Sequence, residues 1–266
     1  MHECIFDALN DYRKAWSERR IWLMLSIRSF SHSYRRTVLG PWWYSVDQLL
    51  YTFGFAAMSS FLFGGKFSES FAYVGVGIAV FSTMSQSVLL GLQSFVGQAS
   101  LRNSGLSLSG RLVKDTVCLS ITFGFRLWPI CLVIPFTAFT LNEKILLLVP
   151  ISFIAASSSI FSGLILAILC SRFRDLSPVI NLILKLAFFA TPVFWHPDLG
   201  VRSDVLSNLA SANVFAQYLE LIRSPILGLV PSLYTIVYCL IFLAAVFCVA
   251  TSLLGLLIKK IPYWIG

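Results

Sequence analysis

The residues able to do chemistry in this sequence are a few polar side chains set inside long apolar runs. Asp47, Arg126 and Lys185 are the charged residues that fall within those runs. Around them two stripes recur at helical spacing: Tyr44, Gln48, Tyr51 and Phe55, with Asp47 beside them, and then Asn181, Lys185, Phe188, Pro192 and Trp195. Polar groups are costly against lipid, so both stripes should turn inward. Two uses fit. The polar groups could glue neighbouring helices together through hydrogen bonds. Alternatively they could line a conduit whose rings offer flat apolar faces and whose edges offer hydrogen bonds, a wall suited to sugars. Arg126, near the middle of its run and followed by Pro129 and Pro135, calls for a buried ion pair or a wet cavity. Asp47 is its candidate partner by depth, while Lys185 competes with it for Asp47 or simply snorkels towards the cytosolic surface.

Other chemistries are excluded by spacing. Gly65-Lys66 is followed by Phe67 and lacks the first glycine of a phosphate loop, so the chain does not cradle ATP in that way. No Gly-x-Ser-x-Gly, His-Glu-x-x-His or paired-acid cluster occurs. His2, His32 and His196 are scattered, no Cys-x-x-Cys pair exists, and Cys118, Cys131, Cys170, Cys239 and Cys248 lie in apolar runs as small hydrophobes. No metal or other cofactor is expected in this chain, and it does not read as an enzyme.

The elements that must position these residues are membrane helices. Of 266 residues 57% are hydrophobic and only 12% charged, with a mean hydropathy of +0.81. A soluble domain carries about a quarter charged residues, so this chain has too little polar surface for water. The net charge of +8 is then a topology signal rather than a mark of nucleic-acid binding. An all-α, polytopic membrane protein is expected, with six spans near Trp42–Phe63, Phe71–Phe95, Val117–Phe139, Ile145–Cys170, Pro178–Trp195 and Leu233–Ile258. No repeat or linker divides it, so 1–266 reads as one domain: a cytosolic segment 1–40, a six-span region 42–258 and a tail 259–266.

With the N-terminus inside, cytosolic segments hold Arg13, Lys14, Arg19, Arg20, Arg28, Arg35, Arg36, Arg102, Arg111, Lys114, Arg172, Arg174, Lys259 and Lys260. The opposite face keeps Lys66, Lys144, Arg202 and Arg223. This bias puts both termini in the cytosol. Leu23, Ile27, Phe30, Tyr34 and Val38 predict an amphipathic helix lying in the interface before the first span. In the external segment His196–Ser232, Val214, Phe215, Tyr218, Leu219 and Ile222 share a helical face started by Asn213, and predict a re-entrant or interfacial helical pair. The small residues Ala155 to Ser159, Ser162 and Gly163 predict close helix packing.

Several of these stretches resemble a known family. Tyr34-Arg35-Arg36-Thr37-Val38-Leu39-Gly40-Pro41-Trp42-Trp43, Phe173-Arg174-Asp175, Thr191-Pro192-Val193 and Glu220-Leu221-Ile222-Arg223-Ser224-Pro225-Ile226-Leu227-Gly228 together resemble the membrane permease of ABC-2 type ATP-binding-cassette exporters, in the group that moves O-antigen, capsule or teichoic acid chains. The pattern departs at Gln48, where a proline is usual, at Asn213-Val214 in place of Asn-Pro, and in the proline-free loop Gln98–Gly110.

The resemblance implies a homodimer in the bacterial inner membrane, a conduit for a lipid-linked polysaccharide between two copies, and two separate ATPase subunits that hold ATP and Mg. Gln98–Arg111, with Leu101, Arg102, Asn103 and Arg111, would then couple to the ATPase. The Arg28–Arg36 helix, with Arg35, would gate the cytosolic mouth beside it. Arg174 and Asp175 would make a second ATPase contact or a salt bridge. The pair Ser203–Leu227, with Tyr218, Glu220 and Arg223, would cap the exit. An ABC-2 exporter of drugs or lipids and a polyprenyl-phosphate enzyme are the competing readings. The latter wants clustered acids or histidines that the sequence lacks.

Overall fold

The computed structural model describes residues 2–64, 66–94, 106–137, 139, 142–173, 175–195, 208, 210–258 and 261, the side chains from Phe6 onward. Nine α-helices of thirteen residues or more run through the described residues, which hold no strand: α1 His2–Ser17, α2 Arg19–Ser33, α3 Trp43–Phe63, α4 Phe67–Gln93, α5 Leu108–Val133, α6 Leu148–Arg172, α7 Leu176–Ala190, α8 Val214–Ile226 and α9 Leu233–Leu257. Side chains start several of them where the sequence offers a cap. Asn213 Oδ1 accepts from Phe215 N at 2.9 Å, and Ser232 Oγ accepts from Thr235 N at 3.1 Å, each satisfying an amide that the first helical turn leaves open.

Four helices are long and apolar enough to cross a membrane: α4, α9, and α5 and α6 with their adjoining 3-10 turns, as Leu108–Phe136 and Glu143–Arg172. They coincide with the second, third, fourth and sixth expected spans. The other two expected spans differ. α3 has 21 residues, about 31 Å of helix, but Asp47, Gln48, Ser45 and Thr52 hold its hydropathy down. α7 has 15 residues, about 22 Å, short of a hydrocarbon core about 30 Å thick.

α4 is the hub: α3, α5, α6, α7 and α8 all lie against it. Where α4 crosses α6 the backbones nearly touch. A Cβ placed on Gly91 would come within 2.7 Å of Gly163 Cα, so the small residues of α6 do serve close packing there. α8 is no loose cap. Tyr218, Leu219, Leu221, Ile222 and Ile226 belong to the main core with Ala72, Val76, Ile78 and Val80 of α4, and the Tyr218 hydroxyl meets Ser158 Oγ at 2.5 Å.

One end of the bundle gathers the N-terminal helices. Ala8 of α1 packs with Leu112 of α5, Leu164, Ala167 and Ile168 of α6, and Ala250 and Leu254 of α9. Tyr12 lies against Phe161 and Phe247 and meets Thr251 at 3.2 Å. Two acids fasten the start of α5: Glu18, in the turn between α1 and α2, accepts through Oε2 from Ser107 N and Oγ at 2.8 and 2.9 Å, and Asp11 of α1 through Oδ2 from Ser109 N and Oγ at 3.0 and 2.6 Å. Carboxylates at a helix N-terminus suit its partial positive charge.

The interface helix departs from expectation. α2 stops at Ser33, and Arg36 has a φ of 79°, so Tyr34 and Val38 do not extend it. Its buried contact is Ser26, whose Oγ donates to Lys114 O at 2.9 Å, while Leu23 and Ile27 are exposed. The inward face is thus Trp22, Leu25, Ser26, Ser29 and Phe30, one position round from the expected stripe, with Phe30 common to both.

Candidate functional site

A cavity of about 610 Å³ opens where α3 and α7 both lean on α4 and barely on each other. α4 forms its floor with Ile78, Phe81, Ser82, Ser85, Gln86 and Leu89. α3 supplies Asp47, Gln48, Tyr51 and Phe55, α7 supplies Asn181, Leu184, Lys185, Phe188 and Phe189, and Arg126 enters from α5. Two stripes 126 or more residues apart in sequence are therefore neighbours in space. Their helical spacing puts each on one face, and α4 brings the faces together.

Arg126 is 5% exposed. One terminal nitrogen donates to Ser82 Oγ at 3.0 Å and Thr83 Oγ1 at 3.3 Å, and its guanidinium carbon stands 5.3 Å from the centre of the Tyr44 ring. Among the described residues neither Arg126 nor Lys185 makes an ion pair with Asp47. A hydroxyl pair and a ring face take the place of the carboxylate. Thr83 also faces a second, apolar cavity of about 250 Å³ among α4, α5 and α6, so Arg126 is anchored in the wall between the two.

Tyr44 sits beneath Arg126 rather than in the cavity wall, and its ring meets Tyr34 edge-on at 5.5 Å. Burial, and then the hydrogen bond to Tyr44, pushes the Tyr34 phenol up, so that it stays a neutral donor. Gln48 is only 2% exposed: its amide donates to Gly75 O at 3.0 Å and Thr52 Oγ1 at 3.1 Å, which makes it helix glue as well as wall. Tyr51, by contrast, is 56% exposed and its ring is open to the cavity.

Trp195 does not line the cavity. α7 ends at Ala190, because Pro192 has no amide to donate and holds Thr191 extended, at φ −97° and ψ 138°. The helical count carried through Pro192 therefore points the wrong way. Trp195 is 8% exposed against Ala210 and Ala216, with Nε1 donating to Phe189 O at 3.2 Å.

At the end where α3 and α7 meet, phenylalanines close the cavity. Phe188 contacts Phe55 at 5.2 Å, Phe81 at 5.3 Å and Phe194 at 6.0 Å between ring centres. Ser82, Ser85 and Gln86 were not singled out from the sequence. Their signal was present, since three polar residues share one face of an otherwise apolar span.

The other expected groups are dispersed. Arg28, Arg35 and Arg36 are exposed on α2 and the turn after it, Arg111 is buried in the first turn of α5, and Asp175 is exposed just before α7. Leu101, Arg102, Asn103, Arg174 and residues 98–105 generally lie outside the described residues, as do 203–207 and 209 of the external pair. Glu220 is exposed with Oε1 accepting from Ser224 Oγ at 2.7 Å, whereas Tyr218 and Arg223 are buried within the core. Among the described residues no group of three His, Cys, Asp or Glu comes together that could hold a metal ion. No protein-family profile matches the chain, and no curated protein matches its sequence.

Proposed function

We propose that this chain is the membrane permease of an ABC-2 type exporter, moving a lipid-linked polysaccharide through a conduit between two copies and driven by a separate ATPase. The observation that carries the reading is the cavity between α3 and α7. Asp47, Tyr51, Asn181 and Lys185 are exposed along it, next to exposed apolar residues such as Leu50, Phe53, Leu182 and Leu186. Lipid is a poor neighbour for a lysine and an aspartate at that position. A second copy set face to face would cover the flank and enclose the polar strip as a passage.

In this reading α3 and α7 are the remaining two of six crossings, α3 with its polar side turned to the passage and α7 continued by the turn through Trp195. The end of the bundle holding α1, the start of α5 and the end of α9 is cytosolic, which agrees with the cluster Arg13, Lys14, Arg19, Arg20, Lys114 and Arg172 around it. Rings supply stacking faces for sugars, while Arg126, Asn181 and Lys185 supply donors. Energy must come from outside, because the chain has no phosphate loop and one acid in its expected spans.

Deletion of the chain in its bacterial host, followed by gel analysis of surface polysaccharide, tests the substrate class. Loss of the polymer from the surface with intracellular build-up, restored by the wild-type chain, is expected. An unchanged surface would refute polysaccharide export.

A further inference from the structure

Arg223 of α8 is 2% exposed, the most buried charge among the described residues. One terminal nitrogen donates to Pro192 O at 3.0 Å and to Val193 O at 3.2 Å, and the guanidinium carbon lies 3.7 Å from the centre of the Tyr73 ring. Nε and the other terminal nitrogen have no hydrogen-bond partner. Glu220, one turn earlier, forms no ion pair with it and is bonded to Ser224. A buried cation matched by two carbonyls and Tyr73, with no carboxylate in an ion pair with it, is an expensive way to fill space that a leucine would fill well.

What the arginine holds is the turn after α7. Pro192 and Val193 present carbonyls that no helix continues to satisfy, at a helix C-terminus where positive charge is favoured. The same turn carries Phe194, which contacts Phe55 at 5.7 Å and Phe189 at 6.3 Å. α8 carries both the arginine and Phe215, which packs on Phe81 at 5.6 Å. α4 leaves room for the joint: a Cβ on Gly77 would collide with the Arg223 guanidinium and stand 2.8 Å from Val193 O.

We propose that Arg223 is a latch, a positioning residue that pins the 191–195 turn to α4 and α8 so that the phenylalanines seal one end of the cavity. When the two carbonyls leave the guanidinium, the turn swings and the rings part. The latch rests on the reading of the cavity as a passage, but not on what the passage carries.

The test uses the full chain in liposomes, with its native cysteines replaced by serine or alanine and Ser85→Cys, a cavity residue that is not one of the sealing rings, introduced as reporter. A membrane-impermeant maleimide is applied from the side of the 191–195 turn. With Arg223 intact, labelling should be slow. Arg223→Met fills the space but offers the two carbonyls no donor, and Gly77→Ala pushes on the joint from α4; each should raise the labelling rate about tenfold. Gly54→Ala, which meets nothing within 4 Å, should not. Unchanged labelling in both folded variants would overturn the latch. Loss of folded protein in both would overturn it too, by making Arg223 a prop of the fold. Faster labelling in a chain that exports no polysaccharide would keep the latch and refute the export reading.

Discussion

Arg126 hydrogen-bonds two hydroxyls at a point in the span where either a buried ion pair or a wet cavity was expected, and this fixes which of its couplings should be measurable. In a double-mutant cycle on thermal unfolding, Arg126→Leu with Ser82→Ala should show a coupling of about 1.5 kcal/mol, the scale of hydrogen bonds to charged groups. The cycle of Arg126→Leu with Asp47→Asn should show well under half of that, and a charge swap of the two should restore nothing. The rings divide in the same way. Tyr51→Ala should lower export about fivefold, equivalent to about 1 kcal/mol of stacking, with little change in melting temperature. Trp195→Ala should do the reverse, lowering melting temperature through lost packing. The α3 and α7 faces of the cavity were legible at this scale, because Tyr51 and Phe55, and then Asn181, Lys185 and Phe188, repeat with a helical period, but its α4 floor was not. The hydroxyls that receive Arg126 were not, because a lone serine in a span equally well bonds back to its own helix. Ser82 does that too, donating to Ile78 O at 2.6 Å.

The helices show where apolar periodicity suffices as a guide and where it misleads. Runs as apolar as α4, α5, α6 and α9 have few alternatives to a membrane helix, and all four were legible. α2 and the end of α7 were misread for opposite reasons. In α2 apolar residues lie on both faces, so the period alone cannot say which face meets α5. In α7 a proline ended the helix that the period ran through. α1 was read only as a basic start, since its docking depends on Asp11 and Glu18 reaching a distant Ser107–Ser109, which no local pattern reports. The close crossing of α4 on α6 yields a direct contrast. In lipid no hydrophobic drive favours one helix pair over another, so tight packing must hold this contact. Gly91→Val should therefore cost about 2 kcal/mol by overpacking and lower the melting temperature in detergent. Gly54→Ala, on open space, should be close to neutral.

At the scale of the whole molecule, the polar cavity is open along one flank and closed by rings at one end. The N-terminal helices are fastened at Ser107 and Ser109, within the end of the segment Gln98–Arg111 that the family resemblance assigns to ATPase coupling. A pull on that loop would reach α5, which carries Arg126, and through Ser82 and Thr83 would reach α4, the floor of the cavity. Two copies with two ATPase subunits would make this a machine in which nucleotide closure below reshapes the passage above. The most direct test is reconstitution of the purified chain in liposomes containing the lipid-linked polysaccharide, with and without its ATPase partner. The proposed function predicts a two-to-two complex and ATP-dependent movement of polymer across the bilayer only when both proteins are present, with no ATP turnover by the chain alone. ATP hydrolysis by the isolated chain, or full translocation without the partner, would contradict it.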